Sequence, residues 1–167
     1  MERDYFKIRV SRSVRVALPL SYIDAALQID RQLVCPIPGV PPGLLGVINR
    51  RGTLTWLLDL SHFLELGSVN TLPGQDLKAI SIARTPLGGD GAKVDRTDRR
   101  HTVACVVSDL EGVFSPRRGT AISQKLKPRL QPLLTQIVYD GNTGIAVLDP
   151  EALLRALQDE TRPVVST

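Results

Sequence analysis

The side chains best suited to covalent or acid–base chemistry in this 167-residue chain are two histidines, His62 and His101, and two cysteines, Cys35 and Cys105. A nucleophile needs a base within hydrogen-bond reach. Neither histidine neighbours a structured cysteine in sequence, and no Gly-x-Ser-x-Gly elbow is present. Both histidines therefore read as structural or surface residues. No set of His, Cys, Asp and Glu has metal-ligand spacing, so neither a metal nor a cofactor is expected. Gly88-Gly89-Asp90-Gly91 is too short for a phosphate-binding loop and lacks the Lys-Ser/Thr that follows one. Asp109 and Glu111 stand two residues apart, which on a strand puts both on one solvent face, so they read as exposed acids at a hairpin. The chain is not expected to be an enzyme.

Charge offers a second route to function. Between Ser115 and Pro132 lie Arg117, Arg118, Lys125, Lys127 and Arg129 without an acid, a local +5 in a chain whose net charge is +4. The remainder is close to neutral, so the basicity is local. Such a run is usually a solvated loop, but it can attract an acidic partner or an anionic surface. It also sustains an alternative function, a small-barrel nucleic-acid binder using segment 115–132. Small barrels that bind oligonucleotides place aromatic stacking platforms beside the basic groove, and this segment has no aromatic after Phe114.

The elements that must position these residues are mostly strands. Hydrophobic residues make up 43% of the chain, enough for a sizeable core, while only 4% are aromatic, so Val, Ile and Leu must fill it. Tyr5–Val10 and Val14–Leu18 alternate polar and apolar residues around Ser11-Arg12-Ser13, the pattern of a half-buried hairpin. Pro19 stops the second strand, and Ser21-Tyr22-Ile23-Asp24 starts a turn of helix or a bent strand. Pro36, Pro38, Pro41 and Pro42 exclude a regular ladder from the loop that holds them. Strands are expected at Leu44–Ile48, Thr53–Asp59, Leu77–Ala83, Thr102–Val107, Leu110–Phe114, Leu133–Tyr139 and Gly144–Leu148. Leu60–Leu66 has the spacing of a short helix, closed by Gly67. Asp149-Pro150-Glu151 announces another helix with an N-cap, a first-turn proline and a first-turn acid, running to about Gln158. Turn-formers and scattered charges make 85–101 a flexible loop. With no alternating βαβ pattern, the architecture is mainly β, barrel-like and mostly antiparallel, in one domain spanning 1–167.

No stretch approaches the about 20 apolar residues that span a bilayer. Met1-Glu2-Arg3-Asp4 is charged and runs straight into a strand, unlike a signal peptide, so a cytoplasmic location is expected. In that compartment Cys35 and Cys105, each among apolar neighbours, read as two buried free thiols.

Gly46 to Leu60 differs from the rest. Apolar runs bracket a polar turn, Asn49-Arg50-Arg51-Gly52, in which Gly52 suits a positive φ and Asp59 can cap the following helix. Arg51 is the odd residue, since a long cation on a rigid turn is placed for bidentate contacts. This segment resembles the signature of the CheW-like family, coupling proteins of bacterial chemosensory arrays: Gly, two apolar positions, Asn, an apolar position, Arg-Gly, alternating apolar positions, then Asp-Leu. Gly46, Asn49, Arg51-Gly52 and Asp59-Leu60 meet it. Cys35-Pro36-Ile37-Pro38-Gly39 and Pro42 are similar to its proline-containing lead-in, and the order of elements fits nearly the whole chain. The chain departs from the pattern at Trp56, where the family has proline, at Arg50, where it has an apolar residue, and at Ser61, where it often has a basic one. Val107-Ser108-Asp109-Leu110 stands where the family carries Val-Asp-x-Val.

The resemblance implies two five-stranded SH3-like barrels around a shared hydrophobic core, with short helices including one at the C-terminus. It implies a non-catalytic adaptor in a two-component chemosensory array controlling motility or taxis, recruited to membrane-associated receptors. One barrel would bind the regulatory domain of a CheA-like histidine kinase, and the groove between barrels a chemoreceptor's cytoplasmic tip. Arg51 maps to that groove, with Arg50 and Asn49 beside it and Ile23 and Leu27 as an apolar wall. Gly46, Gly52 and Asp59 would build the barrel, and Trp56, central in its strand, reads as core.

Overall fold

The computed structural model describes residues 3–67, 74–83 and 102–161. Loop 85–101, with His101 and the Gly88–Gly91 run, lies outside them. Among the described residues the chain forms eleven strands in two sheets. It starts with the expected hairpin, β1 (Tyr5–Arg9) and β2 (Arg15–Pro19), paired antiparallel from Tyr5↔Pro19 to Arg9↔Arg15. A 3-10 turn at Leu20–Tyr22 carries it into β3 (Ile23–Ile29), β4 (Leu44–Arg50), β5 (Thr53–Asp59), α1 (Leu60–Phe63), β6 (Leu77–Ile82) and β7 (Thr102–Val107). It then returns through β8 (Asp109–Phe114), β9 (Gly119–Thr120), β10 (Leu134–Asp140) and β11 (Thr143–Leu148) to α2 (Pro150–Thr161).

The sheets are a six-stranded one in the order β8-β1-β2-β11-β10-β9 and a five-stranded one in the order β3-β6-β7-β5-β4. Both start and end of the chain feed the first sheet, so the two halves are intertwined. Two pairings are parallel, β2 with β11 and β5 with β7; the rest are antiparallel.

Side-chain contacts show how strongly each sheet curls. In a flat sheet β1 and β10 would lie about 14 Å apart, three strand spacings, yet Lys7 Nζ reaches Asp140 Oδ2 at 2.7 Å. β3 and β4, opposite edges of the second sheet, would lie about 19 Å apart when flat, yet Arg50 Nη1 stands 3.3 Å from Asp24 Oδ2. Each curled sheet encloses its own apolar cluster. Tyr5, Ala17, Val138, Ile145 and Val147 fill the first, and Ile29, Ile48, Leu57, Leu77, Ala79, Ala104 and Val106 the second. The largest cluster lies between the sheets, where Ile8, Leu18, Leu58, Ile80, Cys105, Leu133 and Leu148 meet Phe63 of α1 and Leu153 and Leu157 of α2. The expected shared core is this third layer.

The N-terminal helix signals act as expected, whereas Gly67 does not close α1, which ends at Phe63 with Leu64 as its C-cap. Asp59 Oδ1 accepts the His62 N–H at 3.2 Å and starts α1, which ends sooner than predicted. Asp149 Oδ1 accepts the N–H groups of Glu151 and Ala152 at 3.0 and 3.3 Å, and α2 runs three residues past Gln158.

Two sequence expectations are corrected. Cys105 is buried, but Cys35 is exposed. The backbone of Cys35 exchanges both hydrogen bonds with Val47 at 2.8 and 2.9 Å, which fixes the lead-in on β4 while the thiol faces outward. Gly46 permits this approach: at φ +144°, a Cβ there would stand 2.3 Å from the Cys35 carbonyl oxygen. Asp109 and Glu111 are not free exposed acids either. Asp109 binds its ladder partner Arg9 on the neighbouring β1 at 2.8 Å and Lys78 of β6 in the other sheet at 2.9 Å, and Glu111 binds Arg15 of β2 at 2.6 Å.

Candidate functional site at the β4–β5 turn

β4 and β5 pair up to Arg50↔Thr53, leaving a two-residue turn of Arg51 and Gly52. Both have positive φ, +50° and +79°, the signature of a type I′ turn whose twist matches the flanking strands. Gly52 suits this geometry. Arg51 does not: a residue with a Cβ in the left-handed region costs about 1 kcal/mol, and Asn, Asp or Gly normally stand there. Asn49 braces the turn instead, its Oδ1 accepting the Gly52 N–H at 2.9 Å.

Arg50 and Arg51 have separate fates. Arg50 is half-buried and held by Asp24 on β3, which ties the turn to the far edge of the sheet. Arg51 is exposed and has no ion-pair or hydrogen-bond partner among the described residues. Its guanidinium is therefore available, on a turn fixed from two sides.

The strands that meet at the turn present one face to the shared core. A row crosses the five-stranded sheet on the core side: Ile23 pairs with Ile82, Ile82 with Val103, Val103 with Trp56, and Trp56 with Val47. Its middle is buried, while Ile23 and Trp56 are half-buried and pack on the margin of the shared core. Trp56 is thus a rim residue rather than the core plug expected from its central place in β5. Leu54, two residues nearer the turn and opposite Asn49, is 58% exposed. The rim is apolar, open and adjacent to Arg51.

Ile23 and Leu27 do not form one wall. A bulge between Ile23 and Ala25 turns Ile23 toward the shared core, whereas Leu27 packs against the cluster inside the curled sheet. Asp24 carried no signal in the sequence beyond being an acid, and its pairing with Arg50 depends on the curl. Nor was the bond from the Tyr22 hydroxyl to Glu151 Oε1, at 2.6 Å, legible. It ties the segment before Ile23 to the first turn of α2. Burial, then hydrogen bonding to the Glu151 carboxylate, pushes the Tyr22 phenol up to about 12, so it stays a donor at neutral pH.

Among the described residues no group of three or more His, Cys, Asp or Glu could hold a metal, and no helix is long and apolar enough to cross a membrane. His62 is exposed. What the arrangement offers is an exposed cation on a braced turn beside an apolar rim.

The family model for the CheW-like domain matches residues 4–158, nearly the whole chain. The chain belongs to the CheW-like family. Among solved structures, the scaffolding protein TtCheW from Thermoanaerobacter tengcongensis superposes with a TM-score of 0.68 at 12% identity, covering 89% of this chain and 90% of that one. At that identity the likeness shows the fold alone, which this CheW-like chain shares with that scaffolding protein. No curated protein sequence matches the chain. Family membership and this fold support a role as a chemotaxis scaffold or adaptor.

Proposed function

We propose that this CheW-like chain is a non-catalytic adaptor that couples a CheA-like histidine kinase to a chemoreceptor in a chemosensory array. The receptor's cytoplasmic tip would lie against the rim formed by Ile23, Trp56 and Leu54, with Arg51 reaching an acidic position on it. A curled sheet would hold the kinase's regulatory domain. Receptor tips are helical hairpins with acidic and apolar positions, and a helix face fits an apolar rim flanked by a cation.

One observation carries the reading. Arg51 occupies a turn position that disfavours it sterically, and no neighbour among the described residues uses its charge. Backbone strain retained without an internal partner points outward, to a ligand. Arg50 and Asn49 act as positioning residues for it, since both are occupied within the protein.

The test is co-sedimentation with receptor-bearing membranes and the kinase. The adaptor is expected in the pellet with both partners, and kinase activity in the assembly is expected to depend on it. Absence of binding to both partners would overturn the proposal.

A further inference from the structure

The basic segment 115–132 is not one solvated run; the fold divides it. Lys127 binds Glu65 at 3.2 Å. Arg129 is paired with Glu65 and Glu160 and lies over the Phe63 ring at 4.7 Å. These two cations are already engaged: Lys127 ties the segment to Glu65 just after α1, and Arg129 ties it to α1 and α2. Arg117 and Arg118 have no acidic partner among the described residues and both are exposed.

Arg118 is nonetheless held in place. Its guanidinium carbon sits 4.2 Å from the centre of the Tyr139 ring, and its carbonyl accepts the Tyr139 N–H at 3.3 Å. Next to it, Gly119 and Thr120 pair with Val138 and Ile137. A guanidinium stacked by its face keeps its in-plane N–H donors free, and its rotamer entropy is already lost. Ser115, Arg117, Arg118, Tyr139, Asp140 and Asn142 line an open cleft here, of about 610 Å³.

We infer that this cleft is a second docking surface, one that takes an acidic segment of a protein partner, with Arg117 and Arg118 as its carboxylate-binding residues. Charge complementarity carries the choice of occupant. A single-stranded nucleic acid needs an open aromatic face for base stacking, and Arg118 occupies a face of Tyr139, the one aromatic lining the cleft. The Asp140 carboxylate at the cleft wall, bonded to Lys7, also disfavours a contiguous polyanion while tolerating spaced side-chain carboxylates. The surface is independent of the β4–β5 turn and of the receptor reading.

The experiment is a titration of the isotope-labelled full chain with octaglutamate, followed by amide chemical shifts. Saturable shifts are expected at residues 117–120 and 139–142, weakening with added salt. Replacing both Arg117 and Arg118 with Ala should weaken binding by about tenfold, as expected for loss of charge-assisted bidentate contacts. Replacing Lys127 and Arg129 with Ala should leave the affinity within about twofold, because those cations are already engaged. Arg118→Lys, which keeps the charge and gives up the stack, should fall between and controls for folding. The inference is overturned if octaglutamate gives no shifts at the cleft or binds the double variant equally well. It is overturned in favour of a nucleic-acid partner if an eight-residue thymidine oligonucleotide binds more tightly, and in favour of a simple anion site if inorganic phosphate displaces the peptide completely.

Discussion

Arg50 and Asp24 make a 3.3 Å ion pair although they belong to opposite edge strands of the five-stranded sheet. The pair exists because the sheet curls until β4 comes round to β3, and it fixes the turn that carries Arg51. The two side chains remain 33% and 40% exposed, so the pair should contribute little to stability, about 0–1 kcal/mol. Asp24→Ala is therefore expected to leave the urea midpoint nearly unchanged while weakening receptor-tip binding. Exchanging the charges, with Asp24→Arg and Arg50→Asp together, should restore part of that binding. Urea denaturation and calorimetric titration on the same samples check both halves.

Gly46 is a more severe constraint. Its φ of +144° and the Cys35 carbonyl oxygen, 2.3 Å from where a Cβ would stand, leave no room for a side chain. Gly46→Ala should cost roughly 2–3 kcal/mol, combining backbone strain with a clash against backbone. Gly52→Ala meets nothing within 4 Å and carries only the conformational penalty of its φ of +79°. Denaturant midpoints should fall in the order wild type, Gly52→Ala, Gly46→Ala.

The Asp109 carboxyl is lowered from its ordinary 3.8 to about 2, chiefly by hydrogen bonding to Lys78, with Arg9 and the Leu110 N–H adding to it. A carboxyl with a depressed folded-state value stabilises the fold above its unfolded value, and that stability is lost as pH falls through the folded value. The loss belongs to the window from about pH 4 down to about pH 2. Partial exposure and salt screening reduce its size. Asp109→Asn should flatten the stability profile in that window and leave its shape near pH 7 unchanged. Thermal melts across an acid pH series at two salt concentrations measure it.

Cys35 is exposed, whereas burial pushes the Cys105 thiol up to about 12. A thiol-specific disulfide reagent at pH 8 should therefore modify a single cysteine quickly and the second only in denaturant. Cys35→Ser should abolish the fast phase, as read by absorbance.

Much of this fold was legible because it is written locally. The β1–β2 hairpin alternates around a short polar turn, β10 and β11 bracket a turn in which Gly141 takes a positive φ, and the caps at Asp59 and Asp149 lie within three residues of the N–H groups they bind. β3 was harder: Ile23 to Ile29 does alternate, but the bulge after Ile23 breaks the pattern and changes the face that Ile23 presents. The two-residue β9 has too few residues for any period. Cys35 misled because apolar neighbours in sequence do not fix a side chain's direction where the backbone forms a single bridge. At the candidate site, Arg51 stood out from residue type and turn position alone. The partners that sort Arg50 from Arg51, and Lys127 and Arg129 from Arg117 and Arg118, are set by long-range curl and packing that sequence spacing does not encode.

In the proposed function Arg51 serves a partner at the expense of the turn. Arg51→Asn separates the two, because Asn accepts the left-handed conformation of a type I′ turn. The direct measurement is receptor-tip affinity by calorimetry, paired with urea stability, for wild type and Arg51→Asn. The expected variant is more stable by roughly 0.5 kcal/mol and binds the tip at least about tenfold more weakly, the loss of one charge-assisted contact. A variant that binds with unchanged affinity, or that unfolds more easily than wild type, would contradict that role for Arg51.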